Sequence, residues 1–145
     1  MAIAQMNWGR MLAPLDAPEM AEFNAALAGV YDLAERHDGF IWRIPDDVAG
    51  DELAALGHDD RMSATVSVWR DIDALWAFTF QTAHGRFLDQ RAQWFVPVEG
   101  PQLVFWDVDE EARPGFAEAF RRLEHLKANG PGPEAYGWPE RLRTA

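Results

Sequence analysis

Between Ser63 and Phe95 an alternating run ends on a tryptophan, and an aromatic-rich helical pattern begins almost at once. No other stretch constrains the fold of this chain as tightly. Alternation sets Ala64, Val66 and Val68 on one side of a strand, and Ser63, Thr65, Ser67 and Trp69 on the other. Beyond Arg70, the residues Ile72, Leu75, Trp76, Thr79 and Ala83 recur at helical spacing on one stripe. Phe80, His84, Phe87, Leu88, Arg91 and Phe95 form a second stripe, and Gly85 is a point where this helix can break.

The remaining elements fall into place around that unit. Ile3 to Met11 reads as a first strand, with Ile3, Gln5, Asn7 and Gly9 on one face and Ala4, Met6, Trp8 and Arg10 on the other. Asp16 and Glu19 have the spacing of a capping box, and Met20, Phe23, Leu27, Val30, Tyr31 and Ala34 follow at helical period. Phe40 to Ile44 is a short second strand, Pro45 to Arg61 an acid-rich loop, and Leu103 to Val108 the fourth strand. Pro114 opens a last helix with Phe116, Phe120, Leu123 and Leu126 inward, and Gly130 with Pro131 ends it. The order β-α-β-β-α-β plus a terminal helix predicts an α+β, ferredoxin-like fold: one four-stranded antiparallel sheet with helices on one face. Residues 1–145 make one domain, with the tail 131–145 packed on the body through Tyr136 and Trp138. Strands apolar on both sides, such as Phe40 to Trp42 and Leu103 to Trp106, ask for a second layer, and a homodimer through the bare sheet face would supply it.

Composition narrows the partners. With 13 basic against 24 acidic residues the formal charge is −11, which argues against nucleic acid and anionic membrane. There is no cysteine, hence no disulfide, thiolate metal site or cysteine nucleophile. No signal-peptide pattern opens the chain and no apolar run reaches spanning length, so cytoplasm is the expected location.

Several short runs carry a resemblance. Ala13-Pro14-Leu15, Ser67-Val68-Trp69, Ala83-His84, Trp94-Phe95, Gly100-Pro101, Leu103-Val104-Phe105-Trp106 and the run Arg122 to Leu126 with Gly130-Pro131 resemble the DUF3291 family over nearly the whole chain. That resemblance implies a dimeric α/β barrel, of a superfamily that includes antibiotic-biosynthesis and haem-degrading monooxygenases. The segment Glu110 to Pro114 lacks the Gly-His of relatives, so no role of that histidine transfers.

The function expected is that of a small-molecule enzyme, monooxygenase-like, acting on a hydrophobic or aromatic substrate between sheet and helices. The alternative is a non-catalytic binding protein for a hydrophobic ligand or haem. His84 on its apolar stripe is the candidate base or axial haem ligand, against the plainer role of a hydrogen-bonded core histidine. Asn7 is the candidate oxygen-orienting donor; with Trp76 and His84 it is the nearest counterpart of a constellation in haem-degrading relatives, although Phe78 competes with Trp76 for that place. Trp69, Trp76, Phe80, Phe87 and Trp94 are the expected substrate-binding walls, and Arg91 a clamp for a substrate carboxylate unless Asp89 engages it. His58, Asp59 and Asp60 lack a spaced partner and predict no metal site. No cofactor is expected to be needed for folding, with haem as the one candidate for a bound group. The chain should therefore refold from denaturant with chelator present and no haem, recovering native tryptophan fluorescence and near-UV dichroism; recovery only after metal or haem is added would overturn this.

Overall fold

A computed structural model describes residues 1–81 and 91–143, and of Arg91 and Arg143 the backbone only. Strand β1 (Ala2–Met11) runs through the middle of a five-stranded antiparallel sheet. One edge of β1 pairs along its length with β3 (Met62–Trp69), and β2 (Phe40–Arg43) lies outside β3. The other edge pairs from Ala2 to Asn7 with β5 (Leu103–Val108), then at Arg10 and Met11 with the two-residue β4 (Phe95–Val96). The helices are α1 (Ala21–Arg36), α2 (Asp46–Ala55), α3 (Ile72–Gln81), α4 (Phe116–Asn129) and the single turn α5 (Glu140–Arg143). This is the α+β, ferredoxin-like order that the sequence predicts, with α2, β4 and α5 added to it. Among the described residues no helix is long and apolar enough to cross a membrane.

The alternation of β1 sorts its side chains onto two cores. Ala2, Ala4 and Met6 join Val66, Val68, Val104 and Trp106 on one face, and α2 and α4 cover them with Leu53, Phe116, Ala119 and Leu123. Ile3 joins Trp69 and Phe105 on the opposite face, under Ala34 of α1 and Ala74, Leu75 and Phe78 of α3. The expectation of helices on one face only is thus corrected. The sheet face expected to be bare is covered within one chain, and the argument for a second chain across it falls away.

Strand β2 reaches both cores through a bulge. Phe40 lies opposite Trp69, yet Trp42 lies opposite Val68 and Arg43 opposite Ser67, so an extra residue sits between Phe40 and Trp42. Ile41 and Trp42 therefore both pack into the α2/α4 core, while Phe40 and Arg43 face α1.

The stretch Pro45 to Arg61, expected as a loop, contains α2. Pro45 precedes the helix in extended backbone, Asp46 and Asp47 place negative charge in its first turn, and Leu53 is buried. Gly57, at φ +89°, turns the chain out of it. The acid-rich composition hid a helix whose inward stripe is only Ala49 and Leu53. The Asp16/Glu19 capping box does not form: a 3₁₀ turn over Pro18–Met20 leads into α1 without a side-chain cap, and buried Met20 seats it. Asp71 does cap α3, its Oδ1 accepting the Ala74 N–H at 2.8 Å.

Helix α2 also holds the start of α4. Glu52 Oε1 accepts the Phe116 N–H at 2.9 Å, which satisfies a free donor and places a carboxylate at the positive end of α4. Glu52→Ala should lower stability by about 1 kcal/mol, read as a lower urea midpoint at unchanged slope. An unmoved midpoint would mean that water serves the Phe116 N–H equally well.

Candidate functional site

Between the sheet and helices α1 and α3 lies a cavity of about 350 Å³. Its floor is built on three cross-strand rows, continued by Ser63 and Gly9. The first is Phe40 and Trp69; the second is Arg43, Ser67, Gln5 and Phe105; the third is Thr65, Asn7 and Leu103. Residues directly opposite on antiparallel strands stand about 5 Å apart at Cβ, so each row is a contact row. Phe23, Leu27, Val30, Tyr31 and Ala34 of α1 and Leu75, Phe78, Thr79 and Phe80 of α3 make the roof.

The middle of the floor is polar although helices cover it. Gln5 and Ser67 are 5% and 7% exposed. The Gln5 Nε2 donates to Ser67 Oγ at 2.8 Å and to Thr65 Oγ1 at 3.4 Å. The Asn7 Nδ2 donates to Thr65 Oγ1 at 2.9 Å and to Gln5 Oε1 at 3.1 Å. The Trp69 indole N–H donates to Ser67 Oγ at 2.9 Å. The strip is burial-tolerant because its members satisfy one another.

The two ends of the cavity are aromatic. At one end Phe95 lies over Gly9, edge-on to Phe23 with ring centroids 5.2 Å apart, and Trp94 tilts against Phe23 at 5.5 Å. At the other end stands Trp138 of the C-terminal tail, 4.7 Å from Phe105, 5.1 Å from Trp76 and 5.7 Å from Phe80. The tail is tied down at several points. Phe105 and Tyr136 exchange backbone hydrogen bonds of 2.8 and 2.9 Å, the Tyr136 hydroxyl donates to Asp107 at 2.7 Å, and Arg141 pairs with Asp73 at 2.9 Å. Burial, then the bond to Asp107, push the Tyr136 phenol well above its ordinary range.

Tyr31 and Arg43 are the only titratable groups among the described lining residues. The Arg43 guanidinium lies 4.2 Å from the Tyr31 ring centroid, and its partners Asp46 at 2.9 Å and Glu35 at 3.5 Å are on the surface side. Burial, then the Asp46 carboxylate, raise the Tyr31 phenol against the opposing pull of Arg43. No histidine lines the cavity among the described residues, and His84, the expected haem ligand, lies outside them. No metal-ligating cluster of three acidic or imidazole groups occurs among the described residues either.

The structure brings Asn7, Trp69, Phe80 and Trp94 of the expected site residues to this one cavity. Asn7 and Phe80 are exposed at its opening, whereas Trp69 and Trp94 are buried. Trp76 is not a wall; it stands behind Trp138. Phe78, its competitor, lines the cavity and stacks on Trp69 with centroids 5.3 Å apart. His84 and Phe87 lie outside the described residues, as does the side chain of Arg91. Gln5, Thr65, Ser67, Tyr31, Arg43 and Trp138 were not expected as site residues. A signal existed for the first three, since alternation already set polar Gln5 on the face of Ile3 in one strand, and polar Thr65 and Ser67 on the face of Trp69 in another.

The family model described as "Domain of unknown function (DUF3291)" matches residues 2–145. No curated protein sequence matches the chain. Among solved structures, that of SnoaB, a cofactor-independent oxygenase from Streptomyces nogalater, is similar with a TM-score of 0.50 at 14% identity, covering 74% of this chain and 93% of that one. The structural-genomics protein YJCS is similar with a TM-score of 0.47 at 15% identity, covering 75% and 100%. At such identities the likeness is one of fold.

A Cβ on Gly9 would stand 2.7 and 2.9 Å from the Phe95 ring, which Phe23 holds from the other side. Gly9→Ala should therefore displace Phe95 and cost about 1–3 kcal/mol of stability in urea unfolding. Wild-type stability in this variant would show that the Phe95 end of the cavity is loosely packed.

Proposed function

The chain belongs to the DUF3291 family, and we propose that its cavity is the substrate site of a monooxygenase-like enzyme acting on a planar, largely apolar aromatic molecule. The observation that carries this reading is an aromatic cavity with a few convergent polar groups at the centre of its floor, the usual make-up of a small-molecule site. The fold shared with a cofactor-independent oxygenase supports the reaction class. Oxygenation without a bound cofactor draws its electrons from the substrate: an activated CH₂ becomes a carbonyl, one atom of dioxygen enters the product, and the other leaves as water. In this reading His84 takes the proton, the role its sequence position suggests, and Asn7 acts on the reacting oxygen through Thr65, whose hydroxyl it holds with one side-chain N–H while the other goes to Gln5.

A second reading has a specific observation in its favour. No carboxylate or imidazole lines the cavity among the described residues, which suits a protein that binds an aromatic ligand without converting it.

Anthrone, whose CH₂ is activated by its rings and carbonyl, separates the two. It should quench tryptophan fluorescence, because Trp69, Trp94 and Trp138 are wall residues. Stoichiometric oxygen uptake without added metal or haem, at least tenfold above the spontaneous rate and lost in His84→Ala, is the expected outcome. Quenching without protein-dependent uptake would assign the protein to binding alone.

A further inference from the structure

The polar strip on the cavity floor uses up its N–H groups and leaves its O–H groups over. Both Gln5 Nε2 hydrogens are engaged, by Ser67 Oγ and Thr65 Oγ1, and both Asn7 Nδ2 hydrogens, by Gln5 Oε1 and Thr65 Oγ1. The indole of Trp69 can only donate, and it donates to Ser67. Each hydroxyl oxygen thus accepts two hydrogen bonds, Ser67 from Gln5 and Trp69, Thr65 from Asn7 and Gln5. A hydroxyl has two lone pairs, so what each has left is its proton. Among the described residues neither hydroxyl has an acceptor for that proton, and both line the cavity. Amide oxygens with a lone pair to spare are common in folded proteins; a buried donor with no partner is rare. The two hydroxyls also lie within 3.4 Å of the same Gln5 nitrogen, so they address one small region of the floor.

Charge points the same way. Arg43 is the only charged lining residue described; Asp46 and Glu35 pair with it, while its buried Nε has no hydrogen-bond partner among the described residues. A cationic ligand would leave water for a cavity with no carboxylate among its described lining residues, and an anionic one would have to compete with Asp46 and Glu35 for Arg43.

Resting on the cavity reading above, we propose that the site selects uncharged planar molecules that accept hydrogen bonds, seating a carbonyl-type oxygen on the hydroxyls of Ser67 and Thr65. Gln5 is a positioning residue: its two N–H bonds turn both hydroxyl protons away from the sheet and into the cavity. The leftover acceptor at the exposed end, Asn7 Oδ1, is in reach of solvent and does not demand a ligand donor.

A matched pair of probes tests this. 9-Fluorenone and carbazole share a planar tricyclic skeleton, but the first only accepts a hydrogen bond and the second only donates one. Equilibrium dialysis of the wild-type protein should show fluorenone bound about tenfold tighter, the worth of one well-made hydrogen bond. Thr65→Val and Ser67→Ala should each bring the ratio of the two dissociation constants towards one by weakening fluorenone alone. Ser67→Ala also unpairs buried Gln5 and Trp69, whereas Thr65→Val keeps the side-chain shape and frees N–H groups of Gln5 and of exposed Asn7, so Thr65→Val decides if the serine variant does not fold. Equal binding, a preference for carbazole, or a fluorenone preference that survives Thr65→Val would overturn the proposal and leave the cavity reading standing. If neither probe binds, both readings fall.

Discussion

The pairing of β1 along both of its edges is the constraint on which the rest depends. Its residues from Ile3 to Asn7 have β3 on one side and β5 on the other, so this stretch of backbone finds its hydrogen bonds inside the sheet. Both faces of the strand are covered, and the alternation of its side chains must match both covers at once. A slip of one residue would turn Gln5 and Asn7 into the core made by Trp106, Phe116 and Leu123, and Ala4 and Met6 into the cavity floor. Each misplaced amide would forfeit its partners at about 1–3 kcal/mol, so register is strongly specified by two residues whose role is local to the cavity.

The cavity follows from this register with few further devices. Polar Gln5 and Asn7 meet polar Ser67 and Thr65 because these are opposite positions in the β1/β3 ladder. A polar strip beneath two helices would ordinarily be a liability; here every side-chain N–H in it has an acceptor, and the cavity keeps the helices from pressing onto it. The bulge in β2 extends the middle row by one residue, bringing Arg43 beside Ser67 where a regular strand would have shown Trp42. The C-terminal tail completes the far end with Trp138, held through Tyr136 on β5 and Arg141 on α3. Five strands, two helices and a tail thus converge on one site, while α2 and α4 on the opposite face contribute no wall to it.

Much of this was legible in residue patterns, and the misses share a cause. Strands β1, β2, β3 and β5 and helices α1, α3 and α4 carry enough apolar residues at period 2 or 3.6 to declare themselves, whereas β4 is two residues long and shows no period. Helix α2 did not, because its buried stripe is two residues wide and acidic residues crowd the rest. Two-sided strands showed that each sheet face needs a cover without showing what the cover is. A second chain and the chain's own α2 and α4 bury the same residues, and only the path of the backbone after β2 and β5 distinguishes them. Trp76 and Phe78 are both aromatic and both on α3, but the rotation of that helix on the sheet puts Phe78 on Trp69 and turns Trp76 towards the tail.

What the sequence determined by itself is therefore whatever rests on neighbours near in the chain: the α+β order, the family, the face that Ile3, Gln5 and Asn7 share within β1, the face that Ser67 and Trp69 share within β3, and the aromatic character of the helix that follows. The tertiary structure decided everything that needs a partner from a distant segment. Trp138 meets Phe105 across 33 positions, Gln5 meets Ser67 across 62, and Glu52 meets Phe116 across 64. Periodicity reports which way a side chain points relative to its own element, because that direction follows from backbone geometry alone. It carries no information on which element arrives opposite, since that is settled by the burial and hydrogen bonding of the whole chain together.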